Sequence, residues 1–392
     1  MFNQNHLHFF EKIKTPFYYY DLNLLKDTIK AILTESEKYN YHVHYALKAN
    51  TDKKVLTELM NAGFGADCVS GNEIKCALNS GYKNDKIVFA GVGKSDEEII
   101  LALKNDIFCF NCESLQELEV INQLATKLNT VARIALRINP NVNANTHKYI
   151  TTGLEENKFG INPYEFDAIL EKLNQTQNLK LIGFHFHIGS QITDLAPFKN
   201  LCTRVNEIQT WFNQRGHTVE IINVGGGLGV NYKEPDIETM PDFTSYFKIF
   251  NDFLELRKNQ QVHFELGRAI VGQCGSLISK VLYIKNGINT NFAILDAGMT
   301  ELIRPALYQA YHKIENLSKS NNEANTRYDI VGPICESSDC FGKAVYLPET
   351  HRGDIFAIRT AGAYGEVMTS QYNLREKNKT VYSDELNYTN PI

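Results

Sequence analysis

The sequence predicts a (β/α)8 barrel followed by a mostly antiparallel C-terminal β domain, which the N-terminal strand joins. Three observations lead there. Strand-like runs and polar, periodic segments alternate from about residue 42 to 265. That is the pattern of parallel strands with helical crossovers, and eight such strands over roughly 230 residues match a barrel in count and size. Parity agrees. In Leu181–Ile188, one face carries Ile182, Phe184, Phe186 and Ile188, which suits packing on helices. The other carries Gly183, His185 and His187, which would point into the barrel. After about Val271 the texture changes to short, β-rich segments punctuated by turns.

Taken in order, Pro16–Tyr20 is aromatic and strand-like, precedes the barrel, and is assigned to the second domain. Tyr20–Tyr39 carries Leu22, Leu25, Ile29, Ile32 and Leu33 at helical spacing, with Asp21 or Asn23 to cap its start. Barrel strands are read at His42–Lys48, Gly65–Val69, Lys86–Ala90, Ile107–Asn111, Arg133–Ile138, Lys180–Ile188, Val219–Val224 and Val262–Glu265. Helices are read between them at Lys53–Asn61, Asn72–Ser80, Asp96–Lys104, Ser114–Lys127, Pro163–Leu173, Pro197–Gln214 and Phe243–Lys258. Later strands are read at Leu277–Ile284, Asn291–Leu295, Asp329–Val331, Lys343–Leu347 and Ile355–Arg359, with Ser318–Arg327 a polar loop. The expected domains are 1–20 (the N-terminal strand), 21–271 (the barrel) and 272–392 (the β domain).

Composition narrows the function classes. The chain has 392 residues, 43% of them hydrophobic, enough for a sizeable core. Forty basic and 45 acidic residues leave a net charge of −5, and no basic tract suits nucleic acid or an anionic membrane. Met1–Lys14 lacks the apolar stretch of a signal peptide. No apolar run approaches the roughly 18 residues that span a bilayer. Eight cysteines without such a signal suggest free thiols in a reducing compartment, so a soluble cytoplasmic protein is expected. Cys109 and Cys112 form a lone C-x-x-C within an apolar run, which reads as packing.

The candidate chemistry lies where the barrel strands end, the face on which such barrels carry their sites. Lys48 closes the first strand. An ammonium there is either a lysine emerging at the sheet rim or one tuned by burial to act as a nucleophile or form a Schiff base. Other strands end in Asp67-Cys68-Val69-Ser70, Arg137-Ile138-Asn139, His185–Gln191, Gly225–Gly229 and Glu265-Leu266-Gly267-Arg268. The glycine run is a turn or a phosphate cradle; its place after the seventh strand, with Gly267-Arg268 after the eighth, favours the cradle. Arg268 could add a charge-assisted contact. A phosphate site, a Schiff-base lysine and an inward carboxylate suggest pyridoxal 5'-phosphate, with Glu265 keeping the pyridine nitrogen protonated and His187 flat on the ring. The competing readings are a structural ion pair for Glu265 and a metal-binding pair for His185 and His187. His42 and His44 lie toward the other end of their strand.

Tyr45–Asn50, His185–Gln191, Gly225–Gly229 and Glu265–Arg268 together resemble the ordered signature of the fold type III, alanine-racemase-like-barrel decarboxylases that use pyridoxal phosphate. Leu266 departs from it, standing where that family usually has Pro. Within the family, Arg304–Tyr308, Cys335–Asp339 and Gly362-Ala363-Tyr364 with Tyr372-Asn373 resemble the branch acting on diaminopimelate. The resemblance implies decarboxylation of meso-diaminopimelate to L-lysine by a homodimer with shared sites. It implies cofactor contacts from Lys48, Asp67, His187, Ser190, Gly226, Gly227, Glu265, Gly267, Arg268 and Tyr364. It implies substrate contacts from Arg268, Arg304, Tyr308, Tyr364 and Glu336, the last reaching the distal amine. Cys335, from the partner subunit, or Lys48 would return the proton; the other reading of Cys335 is a small buried hydrophobe.

The rival readings are related decarboxylases of ornithine, lysine, arginine or carboxynorspermidine, disfavoured by Glu336. An alanine-racemase-type enzyme, an inert pyridoxal-phosphate carrier and a metal-dependent hydrolase complete them. The loop Asn143–Lys158 is expected to close over the site, with Lys158-Phe159-Gly160 returning the chain to the rim.

Overall fold

The structure, a computed structural model, describes residues 2–142, 158–319 and 323–389. The chain forms two compact units, one of Ile29–Gly229 with Asp242–Gly267, the other of Met1–Thr28, Val230–Pro241 and Arg268–Ile392. Phe17–Tyr20 is the first strand, β1. The strands of the first unit follow as β2 (His42–Ala46), β3 (Gly65–Cys68), β4 (Ile87–Phe89), β5 (Cys109–Cys112), β6 (Ala132–Arg137), β7 (Leu179–His185), β8 (Ile221–Asn223) and β9 (Gln261–Leu266). They close into a parallel barrel in chain order, β9 pairing with β2.

Local chemistry sets the crossovers. Asp52, Ser70, Ser95 and Ser114 each cap the helix that follows a strand, accepting from its first-turn N–H groups. Outside the barrel, Phe184 packs on Phe212 with ring centroids 4.6 Å apart, the outward face that parity predicts. Ile182 departs from that parity. A register shift lies beside it between β6 and β7, and it packs with Val88, Cys109, Ala135 and Ile221. A bulge of this kind turns a side chain to the other face.

Other boundaries differ from the sequence reading, and three of them bear on the barrel's ends. β2 stops at Ala46, and Lys48 sits in a 3-10 turn over Leu47–Ala49. β7 stops at His185, so His187 lies in the rim loop. The helix expected to reach Lys258 spans Phe243–Phe253. Asn206 ends it, donating to the Phe253 carbonyl and accepting from the Glu255 N–H, both at 2.9 Å.

Imidazoles line the N-terminal end of the barrel. His44 Nδ1 lies 3.2 Å from the Lys86 carbonyl, which can only accept. The proton therefore sits on Nδ1, and the bare Nε2 accepts from His263 Nδ1 at 2.8 Å. Gly65 leaves room for this ring, since a Cβ there would lie 2.1 Å from His44 Nδ1. Burial pushes His44 down from 6.5 to about 4. A histidine depressed in the fold stabilises above the unfolded value and loses that stability as pH falls toward the folded one. Between pH 6.5 and 4 the unfolded chain gains a proton that the fold refuses, a loss of order 3 kcal/mol from this group. The apparent Tm of the protein should fall over that window, and less steeply for His44→Asn. An equal slope in the variant would place the acid sensitivity elsewhere.

The second unit continues with β10 (Gly275–Asn286), β11 (Asn291–Leu295), β12 (Ile314–Asn316), β13 (Thr326–Val331), β14 (Cys340–Leu347), β15 (Ile355–Ile358) and β16 (Lys379–Tyr382). Its sheet runs β12-β15-β10-β11-β13-β14, with β1 antiparallel to β10 and parallel to β16. The pairing is antiparallel except for β11 with β13 and β1 with β16. Thr326 and Arg327, expected in a loop, already pair with β14. An N-terminal helix, Gln4–Phe10, packs Phe10 with Phe17, Tyr19 and Ile278. Among the described residues no helix is long and apolar enough to cross a membrane. Residues 143–157 of the expected closing loop lie outside the described residues. Gly160 N–H donates to Glu113 Oε2 at 3.0 Å.

Candidate active site

In the barrel unit, Lys48 Nζ donates to Asp67 Oδ2 at 2.9 Å. The lysine is partly exposed; Asp67 is fully buried, and its Oδ1 has no hydrogen-bond partner. Burial pushes the Asp67 carboxyl up and the charge of Glu265 adds to the rise, against the pull of Lys48. Asp67 is thus a ready proton acceptor beside the amine.

Glu265 is tuned the other way. Its Oε1 accepts from Asn111 Nδ2 at 2.9 Å and Asn223 Nδ2 at 2.7 Å, and its Oε2 from His185 Nε2 at 2.8 Å. Burial works to raise this carboxyl, but His185, its hydrogen bond and Lys48 together hold it well below the usual carboxylate range. Two inward carboxyl groups whose environments push them apart take different tasks. Asp67 can receive a proton, while Glu265 keeps its charge.

His187 is half-buried, and its Nδ1 accepts the Gly226 N–H at 3.4 Å. Lost hydration, then the charges of Arg137 and Lys48, push its imidazole well below the ordinary value, so the ring is neutral. His185 Nε2 is committed to Glu265. Among the described residues no group of three or more His, Cys, Asp or Glu has a metal-holding arrangement.

Gly225–Gly227 form a bare backbone cradle. Cβ atoms there would lie 2.2 Å from the Phe186 carbonyl, 2.0 Å from the Glu265 carbonyl and 2.7 Å from the Gly189 carbonyl. Ile192 N–H donates to the Gly227 carbonyl at 2.9 Å, pinning the loop that carries Ser190 to the glycine loop. Gly267 packs against Ala46 and Ala49, where a Cβ would come within 3.2 and 3.0 Å. The set suits pyridoxal phosphate. It offers an orphaned buried acceptor at Asp67, a fixed carboxylate for a ring nitrogen, and backbone that an anion can approach closely.

The β unit carries its own polar cluster. Arg268 and Arg304 are nearly buried, each 6% exposed. Arg268 Nη1 donates to the Tyr232 hydroxyl at 2.6 Å, and its guanidinium lies 4.8 Å from the Tyr364 ring centroid. The Arg304 guanidinium lies 5.0 Å from the Tyr232 ring centroid. Tyr308 closes the short helix Arg304–Tyr308 and adds to the field on Arg268. Tyr364 has φ +56, a left-handed conformation uncommon for a side chain of its size and found chiefly where function holds it.

Cys335 and Glu336 are neither hydrogen-bonded nor ion-paired to that cluster. Cys335 is exposed, not the buried hydrophobe of its alternative reading, and its N–H donates to Asn373 Oδ1 at 3.4 Å. Glu336 Oε1 accepts from the Tyr372 hydroxyl at 2.7 Å. Lys48, Asp67, His187, Ser190, Gly226, Gly227, Glu265 and Gly267 therefore belong to the barrel unit; Arg268, Arg304, Tyr308, Cys335, Glu336 and Tyr364 belong to the β unit.

Sequence reading passed over Asn111, Asn223, Tyr232 and His312. A signal existed for the first two, since a lone Asn interrupts the apolar runs Cys109–Cys112 and Ile221–Val224. None marked Tyr232 or His312.

Three comparisons with known proteins show the family of the chain. Residues 24–272 match the family model described as "Pyridoxal-dependent decarboxylase, pyridoxal binding domain". The chain is 58% identical over 378 residues to the diaminopimelate decarboxylase of Bacteroides thetaiotaomicron, covering 96% of this chain and 97% of that one. It is 43% identical over 380 residues to that of Helicobacter pylori, covering 96% and 92%. The crystal structure of diaminopimelate decarboxylase from Helicobacter pylori complexed with L-lysine superposes with a TM-score of 0.89 at 40% identity, covering 97% of this chain and 94% of that one.

Proposed function

The chain belongs to the diaminopimelate decarboxylases of the pyridoxal-dependent decarboxylase family, and from that premise we infer that it releases CO2 from meso-diaminopimelate to give L-lysine. The observation that carries the chemistry is the pairing, in one barrel, of the Lys48 amine on Asp67 with a Glu265 carboxylate kept ionised by three donors.

Pyridoxal phosphate, when bound, supplies an aldehyde that takes up an amino group and a ring that withdraws the electron pair left as CO2 departs. Lys48 is the residue that would hold the aldehyde between turnovers and yield it to the substrate amine. Asp67 accepts from the Lys48 side chain at 2.9 Å and so orients it at the rim. Glu265 would keep a proton on the ring nitrogen, its own carboxylate held charged by Asn111, Asn223 and His185. Neutral His187 offers a flat face without competing charge. The bare N–H groups of Gly226 and Gly227, with Ser190, Gly267 and Tyr364, suit the phosphate. Arg268, Arg304 and Tyr308 suit the carboxylate of the substrate's distal amino-acid head, and Glu336 its distal amine. Unpaired, those charges would be costly, and so they discriminate against substrates without that head.

The test is direct. The purified protein should be yellow and should convert meso-diaminopimelate to equal amounts of CO2 and L-lysine. A yellow protein that leaves diaminopimelate intact would move the substrate to another amino acid. A colourless protein that pyridoxal phosphate cannot reconstitute would remove the cofactor reading.

Cys335 is proposed to protonate the product carbon in the site of a partner subunit; its exposed position on this chain supports that. Lys48→Ala and Cys335→Ala proteins, each inactive alone, should then recover activity when their subunits are exchanged. Statistical mixing makes half the dimers mixed, each with one intact site, about a quarter of normal activity. No recovery in verified mixed dimers would show that sites are not shared.

A further inference from the structure

We propose that Tyr232 and His312 are positioning residues that hold Arg268 and Arg304 ready for a carboxylate, and so set the specificity of this site for a substrate with a distal amino-acid head. The inference rests on the function proposed above and deepens it.

The argument starts from what surrounds two nearly buried cations. A buried guanidinium usually has a carboxylate partner, because desolvating an unpaired charge is costly. The described partners of Arg304 are neutral. Arg304 Nη1 lies 2.8 Å from His312 Nε2, and its guanidinium rests on the Tyr232 ring. His312 is 2% exposed, and its Nδ1 lies 2.9 Å from the Arg359 carbonyl. That carbonyl only accepts, so the proton is on Nδ1 and Nε2 is a bare lone pair that receives the arginine N–H. Burial and the charge of Arg304 depress the imidazole to about 3, consistent with a neutral ring at working pH.

Tyr232 serves both arginines. Its hydroxyl accepts from Arg268 Nη1 at 2.6 Å, its face supports Arg304, and its ring meets His312 edge-on at 84° with centroids 5.1 Å apart. Tyr232 thus holds Arg268 and supports Arg304, and His312 holds Arg304, and neither residue brings a compensating charge of its own. A carboxylate in place of Tyr232 or His312 would hold the arginines equally well, but it would cancel the charge and compete with the ligand. Neutral acceptors leave the charge for an incoming carboxylate, while fixed geometry lowers the entropy lost on binding.

The experiment uses the holoenzyme and two probes, L-lysine and 1,5-diaminopentane, the latter being lysine without its carboxylate. Each is measured as a competitive inhibitor and by the absorbance change on binding. Tyr232→Phe and His312→Leu should each raise KM for meso-diaminopimelate roughly tenfold with kcat within about threefold. They should weaken L-lysine by a similar factor and leave 1,5-diaminopentane unchanged. His312→Gln, which restores an acceptor, should lie closer to the parent than His312→Leu. Equal weakening of both probes, or none of either, would overturn the inference. A parent enzyme that decarboxylates diaminopimelate yet fails to prefer L-lysine over 1,5-diaminopentane would overturn it while the proposed function stands. A parent without activity on diaminopimelate would sink the proposed function, and the two-probe comparison would still decide the roles of Tyr232 and His312.

Discussion

Lys48→Ala should abolish turnover, lowering kcat by at least a thousandfold, and remove the visible absorbance band of the bound cofactor. No other lysine among the described residues is paired with Asp67. The loss is chemical rather than structural. The Lys48 side chain is partly exposed, so its removal leaves no large cavity. Asp67 is left buried without a cation, which is costly for an ionised carboxylate. Its carboxyl is already pushed upward by burial and by Glu265, so it can take a proton instead of standing as an unpaired charge. The variant should therefore fold, with a circular dichroism spectrum matching the parent. Retained turnover, or an unchanged visible band, would refute the role given to Lys48.

The second large effect is expected at Glu265→Gln, a change that removes charge and keeps shape. The amide oxygen can still accept from Asn111 and Asn223. The amide nitrogen would meet His185 Nε2, now a donor, but His185 Nδ1 has no hydrogen-bond partner and can take the ring proton. His185 Nε2 then accepts, and the three contacts to residue 265 are all kept. Folding should be nearly unaffected, whereas Glu265→Ala would orphan three buried donors at about 1–3 kcal/mol each. With no negative charge to hold a proton on the ring nitrogen, kcat should fall roughly a hundred- to a thousandfold, the scale for losing one preorganised electrostatic contact in a buried site. The cofactor should still bind and still colour the protein. Full activity in the folded, coloured variant would mean that the ring nitrogen needs no carboxylate.

Much of the architecture could be read from the chain. Eight β-rich runs, seven polar periodic segments and the change of texture after Val271 describe a barrel and a β sheet, because strand and helix periods are local properties of side-chain order. The runs that end in Lys48, Asp67, Gly225 and Glu265 point to the rim, since a polar or bare residue at the end of an apolar strand has few other uses. Element ends were less legible. The helix Phe243–Phe253 ends where Asn206, distant in sequence, donates to the Phe253 carbonyl and accepts from the Glu255 N–H.

The sequence by itself determined the order of strands and helices, the inward parity of His185 and Glu265, and the family to which the ordered motifs belong. Only the tertiary structure decided how those groups are tuned. Asn111, Asn223 and His185 reach Glu265 from three different strands, Tyr232 reaches Arg268 from 36 residues away, and His312 reaches Arg304 from beyond the end of its short helix. The physical reason is common to both sets. The charge state of a buried group depends on which dipoles and charges lie within a few ångströms of it, and chain order alone does not specify those neighbours.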